Sequence, residues 1–160
     1  KDKHNLKKNT NVECFIDWER RYKLMKIHTC LHLLCSIIKS QVTGGSVNDG
    51  KGRLDFNLDQ KPDKEKITYQ LNNLINKNLD VKETWITDEE LDKKPHLVRT
   101  MSVLPPRGSG LIRMVDIGDG VDFQPCGGTH VKNTSEIGEI QITKVENKGK
   151  KNKRVIVSLL

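Results

Sequence analysis

Two short stretches, His28-Thr29-Cys30-Leu31-His32 and Cys126-Gly127-Gly128-Thr129-His130, stand about a hundred residues apart and supply one full set of tetrahedral zinc ligands. Any fold that uses both pairs must bring a helix and a turn together across that separation. The first pair lies in a segment that reads as helix, where residues four apart share a face. The second follows Pro125 in a glycine-rich turn, whose backbone can wrap closely around an ion. Either pair alone says little, because a histidine at the edge of an apolar stripe is commonly an ordinary border residue. Their coexistence points to a metal centre at His28, His32, Cys126 and His130, and thiolate with imidazole suits zinc. His4 in the polar beginning and His96 after a proline fall outside the set. Such a site is either structural and closed, or catalytic with an open position.

The spacing of apolar residues predicts an α+β domain, a two-layer sandwich of mostly antiparallel sheet carrying helices on one face. Val12 to Ile16 reads as a short strand. Asp17 is a helix N-cap, and Leu24, Ile27, Leu31, Leu34 and Ile38 form the stripe of a helix from about Trp18 to Ser40. His28 and His32 then fall at the border of that stripe. Val42 to Gly52 reads as a glycine-rich loop whose amides could approach a phosphate or a carbonyl, although it lacks the P-loop pattern. Arg53 to Leu58 alternates as a half-buried strand, with Leu54, Phe56 and Leu58 on one face. Pro62 and Asp63 open a second helix to about Leu79. Val81 to Ile86 is a strand, and Thr87 with Glu90 forms a capping box for a short helix. Pro95 to Gly110 is irregular, and Leu111 to Ile117 is a strand. Ile137 to Val145 and Arg154 to Leu159 form a hairpin around the basic tip from Asn147 to Lys153.

The chain of 160 residues suits one domain. Lys1 to Asn11 is a polar leader without the apolar core of a signal peptide, and no apolar run is long enough to span a membrane. The four cysteines do not make an evident disulfide frame: Cys30 and Cys35 are expected in the helix, Cys14 in the strand and Cys126 at the metal. That usage fits a reducing cytoplasm. A net charge of +7 suits a polyanionic partner such as tRNA.

Three segments carry a resemblance: Ile16 to Leu34 (IDWERRYKLMKIHTCLHLL), Val42 to Phe56 (VTGGSVNDGKGRLDF) and Asp122 to Val131 (DFQPCGGTHV). Together they resemble the alanyl-tRNA editing family, which comprises the free-standing AlaX proteins and the editing domain of alanyl-tRNA synthetase. The editing domain of threonyl-tRNA synthetase is a more distant relative. The likeness spans roughly residues 12 to 159, with residues 12–160 expected to form the zinc-dependent editing domain. It implies a hydrolase acting in trans on mischarged tRNA(Ala), chiefly seryl-tRNA(Ala) and also glycyl-tRNA(Ala), with zinc as cofactor. The matching ligands, and hence the catalytic set, are His28, His32, Cys126 and His130. Thr43 is the counterpart of a threonine implicated in recognising the serine hydroxyl. Longer members carry an N-terminal β-barrel, of which residues 1–11 and Val12 to Phe15 would be a remnant. The family pattern after the second motif departs at Ser135, within Thr134-Ser135-Glu136-Ile137-Gly138.

The expected chemistry is cleavage of an activated aminoacyl ester, with zinc either positioning the substrate amino group or activating water. The amides of Gly127 and Gly128 are candidates for holding the oxyanion. Gln124, with Asp122, is a candidate beside the ligands and the substrate. Arg20, Arg21, Lys23, Lys26, Lys51, Arg53 and the Lys148 to Lys153 tip are candidates for contacting the acceptor stem. Two other readings fit the same residues: a zinc-stabilised RNA-binding module without catalysis, and a detached editing fragment of alanyl-tRNA synthetase.

Overall fold

Asp17 caps the first helix as expected: its carboxylate accepts the Arg20 N–H at 3.0 Å, and α1 runs over Trp18–Ile37. The structure is a computed structural model that describes residues 4–101, 104–105, 107–108 and 110–160. Among these residues the chain forms three α-helices and seven strands in two antiparallel sheets, the α+β arrangement expected from the sequence. Of the polar leader, residues 1–3 lie outside the described residues, as do 102, 103, 106 and 109 in the irregular stretch.

β1 (Val42–Asn48) and β2 (Lys51–Asn57) form a hairpin, and β7 (Asn152–Leu159) and β6 (Ile140–Gly149) complete a four-stranded sheet in the order β1-β2-β7-β6. The C-terminal hairpin therefore lies directly beside β2, a long-range pairing that no local pattern signals. α1 and α2 (Lys64–Asn76) pack on this sheet. Asp63 caps α2 through the Lys66 N–H at 2.8 Å. Asn78, at φ 55, takes the left-handed conformation that stops α2 short of Leu79. The Asn72 side chain exchanges two hydrogen bonds with the Ile140 backbone (3.0 and 3.1 Å), so α2 seals the outer edge of β6.

The second sheet holds β3 (Val81–Thr87), β4 (Leu111–Ile117) and β5 (Asp122–Pro125), in that order. The Thr87–Glu90 capping box is present and opens α3 (Asp88–Asp92). Leu91, Ile112 and Met114 make a small core beneath this sheet. The main core joins Ile27, Leu31 and Leu34 of α1 to Phe56, Leu71, Val155 and Val157.

Three expectations are corrected. α1 does not bury one stripe: from Thr29 to Cys35 every residue is buried. Its second half is flanked by the four-stranded sheet on one side and by β5 and the 126–130 turn on another, so a helix there is covered all round. His32 is consequently interior, not a border residue. Val42 to Gly52 is not a loop. Gly45 of β1 and Gly52 of β2 sit where neighbours come too close for side chains: a Cβ on Gly45 would lie 2.9 Å from Leu54 Cδ2, and one on Gly52 would lie 2.6 Å from Ile27 Cγ2. The turn is the short Asp49-Gly50, with Gly50 at φ 65. Lastly, Val12 to Ile16 has no strand partner among the described residues, and Phe15 is 85% exposed. Its apolar residues suit a strand, but a strand requires a ladder to join.

Candidate metal centre

α1 presents His28 and His32 one turn apart, and the chain leaving β5 delivers Cys126 and then His130. Their four ligand atoms lie within 4.8 Å of one another, so these residues could hold a metal ion. Cys126 Sγ is 3.6 Å from His28 Nε2 and 3.3 Å from His130 Nε2. Tetrahedral zinc with ordinary bond lengths spaces such donors about 3.3–3.6 Å apart, so the cluster is compatible with it.

Two imidazoles are oriented from behind. His32 Nδ1 lies 2.8 Å from Asp122 Oδ2, so a metal that displaces the other ring proton would find Nε2 aimed at it. Asp122 is itself buried and accepts two hydrogen bonds from Gln124 Nε2, at 3.0 and 2.9 Å. Thr29 Oγ1 donates its single proton to the Met25 carbonyl at 3.0 Å and accepts from the Val131 N–H at 3.2 Å. Its 3.2 Å contact with His130 Nδ1 must then use a ring N–H, which turns the Nε2 lone pair toward the cluster. Thr29 thus ties α1 to the 126–130 turn. His28 is placed sterically: a Cβ on Gly128 would lie 2.2 Å from His28 Cε1.

The turn is clamped by Arg113 of β4, which donates to the carbonyls of Cys126 (2.6 Å) and Gly128 (2.9 Å). Glu83 of β3 pairs with the same guanidinium. The cluster's electrostatics favour a thiolate. Burial opposes the Cys126 anion, but hydrogen bonds from His130, His28 and His32 prevail and bring its pKa down to about 3. Burial likewise opposes a His32 cation, yet Asp122 and Cys126 outweigh it and raise its pKa to about 9. At His130 burial dominates and lowers it to about 4.

His28, His32 and Cys126 line one wall of a cavity of about 720 Å³ that Thr43, Gln124 and Gly127 also line. Residues far apart in sequence are therefore gathered around one space. Gly128 stands elsewhere: its N–H points at Cys126 Sγ, 3.4 Å away, and serves the thiolate. Thr43 Oγ1 lies 3.2 Å from both the Asp55 carbonyl and Asn152 Oδ1. Sequence reasoning did not single out Thr29 or Arg113. Thr29 sat unnoticed between two ligands, and Arg113 acts across a strand pairing that no motif marks. Among the basic candidates, Lys23 pairs with Glu19, Lys26 lies over the Tyr22 ring and Arg53 binds Asp55. Lys153 is buried and caps the carbonyls of Gly149 and Lys150, so it leaves the exposed tip. All four cysteines are free, Cys30 and Cys35 in the core and Cys14 exposed. No helix among the described residues is long and apolar enough to cross a membrane.

Two antiparallel sheets, a helix bearing H-x3-H and a turn bearing C-x3-H make up an α+β module with one candidate metal centre. Residues 112–156 match the family model described as the threonyl and alanyl tRNA synthetase second additional domain. The chain is 37% identical over 155 residues to alanyl-tRNA editing protein AlaX-M of Saccharolobus solfataricus, covering 94% of this chain and 65% of that protein. It is 35% identical over 166 residues to AlaX-M of Methanosarcina barkeri, covering 98% and 67%. Alanine–tRNA ligase of Sulfurisphaera tokodaii is 35% identical over 151 residues, 89% of this chain but 16% of the ligase. The chain belongs to the AlaX family of alanyl-tRNA editing proteins. It spans 65% of the length of the first-named AlaX-M relative.

Proposed function

We propose that this chain is a trans-editing aminoacyl-tRNA deacylase that hydrolyses mischarged seryl-tRNA(Ala) in the cytoplasm. The observation that carries this reading is the shared cavity: three of the four metal-ligating side chains open into the same 720 Å³ space as Thr43. A site serving only to hold the fold together would have no need of that opening, so the cavity supports catalysis over a purely structural zinc.

His28, His32, Cys126 and His130 would hold zinc, which when bound supplies Lewis-acid polarisation beside the ester. Asp122 and Thr29 keep two of the imidazoles in the ligating tautomer, and Gln124 fixes Asp122. Gln124 therefore acts by positioning, behind the ligands. Gly127 is the cavity-lining amide available for developing charge on the ester oxygen. With its proton drawn to the Asp55 carbonyl or the Asn152 amide oxygen, Thr43 meets a substrate serine hydroxyl as an acceptor. Alanine offers no such donor, and a site built for a hydroxyl discriminates strongly against its absence.

The test is metal removal. Chelation should abolish deacylation of seryl-tRNA(Ala), and stoichiometric zinc should restore it. Full activity in protein shown by elemental analysis to hold no metal would overturn the zinc assignment.

A further inference from the structure

We propose that Trp85 is the stacking platform for the 3′-terminal adenine of the tRNA. This rests on the reading of the chain as an aminoacyl-tRNA deacylase and identifies how that substrate's end is seated. Trp85 lines the cavity of the metal centre and is 58% exposed. An exposed indole on the wall of a cavity offers a broad aromatic face to a flat ring that enters it. The other tryptophan, Trp18, stacks on Tyr22 with ring centroids 6.2 Å apart. Among the described residues no aromatic ring stacks on Trp85.

Its place in the sheet supplies the geometry. Trp85 on β3 pairs directly with Arg113 on β4. Arg113 in turn accepts the Cys126 N–H at its carbonyl, 3.1 Å away. Trp85, Arg113 and Cys126 therefore form a row across the sheet, and all three line the cavity. Two strand spacings separate its ends, on the order of 10 Å. In an aminoacyl-tRNA the scissile ester sits on the ribose of the terminal adenosine, so one sugar joins the reacting carbon to the base. An ester at Cys126 and a base at Trp85 match the two ends of that row. Leu104 and Leu111, which line the same cavity, give the base an apolar surround. Every tRNA ends in the same adenosine, so this contact adds affinity without choosing the tRNA, and base-on-aromatic stacking has that sequence-tolerant character.

The experiment uses the full chain with Trp18→Phe, which leaves Trp85 as its sole tryptophan. Its fluorescence is titrated with an uncharged hairpin RNA bearing an acceptor stem that ends in CCA, and with the same RNA ending in CC. Saturable quenching by the first, with binding of the second weaker by roughly tenfold to a hundredfold, is expected. Equal titrations, or no quenching by either, would overturn the proposal. A second pair of variants reads the same contact in turnover: Trp85→Ala should raise KM for seryl-tRNA by a similar factor with kcat little changed, and Trp85→Phe should recover most of the loss. An unchanged KM in Trp85→Ala would also overturn it. Quenching without turnover would support the stacking and sink the deacylase reading, whereas turnover without quenching would do the reverse.

Discussion

Gly128 occupies a position where any side chain collides with the candidate ligand His28, since the nearest ring atom of His28 would be 2.2 Å from its Cβ. Gly128→Ala should therefore displace His28 while leaving the sheets intact. Metal content after dialysis against a weak chelator is expected to fall at least tenfold, with the far-ultraviolet circular dichroism unchanged; retention of full metal would contradict the packing. Thr43 is proposed to govern a different property. In Thr43→Val the acceptor for a substrate hydroxyl is gone, so deacylation of seryl-tRNA(Ala) should slow by roughly tenfold to a hundredfold. Hydrolysis of alanyl-tRNA(Ala) should change little. Unaltered serine-to-alanine selectivity would remove Thr43 from the substrate site. Both residues lie in motifs visible in the sequence, but their roles separate only in three dimensions: Gly127 faces the cavity, whereas Gly128 serves Cys126.

The elements that position the site are held by buried charge as well as by core packing. Asp55 of β2 is 6% exposed and bonds Arg154 of β7 at 2.8 and 2.9 Å and Arg53 at 2.7 Å. Arg154, opposed by burial and aided by Arg53, holds its carboxyl below the ordinary value. A depressed carboxylate contributes stability that is complete above its unfolded pKa, about 3.9, and is lost as pH falls through the folded value. Asp55→Asn should melt lower than the parent at pH 7, with the gap narrowing as the pH is taken below about 4. A constant gap across that range would show that the pairing does not couple to protonation. Local chemistry made much at this scale legible: Asp17, Asp63 and the Thr87–Glu90 box each start a helix where expected. Glycine misled in β1 and β2, because Gly44, Gly45 and Gly52 suggest a loop until the close neighbours of Gly45 and Gly52 are known. Val12 to Ile16 misled in the other direction, an apolar stretch with no described strand beside it. The β2–β7 pairing and the Arg113 clamp join residues far apart in the chain, and neither leaves a local trace.

At the scale of the whole molecule, the candidate metal centre lies where three parts meet. α1 brings two histidines, the three-stranded sheet delivers the Cys126 turn, and β1 closes the cavity with Thr43. The two spaced pairs, read from sequence, required this convergence, and the fold accomplishes it by enclosing the second half of α1 on all sides. A net charge of +7 adds an expected attraction to the phosphate backbone of tRNA, which salt should weaken. All of this rests on one central claim, that the cavity receives an aminoacyl ester and hydrolyses it with discrimination. The most direct measurement is the rate at which the zinc-loaded chain deacylates seryl-tRNA(Ala), with alanyl-tRNA(Ala) as the paired substrate. Rapid release of serine with alanine spared is the predicted result, and failure to release serine above the spontaneous rate would contradict the account.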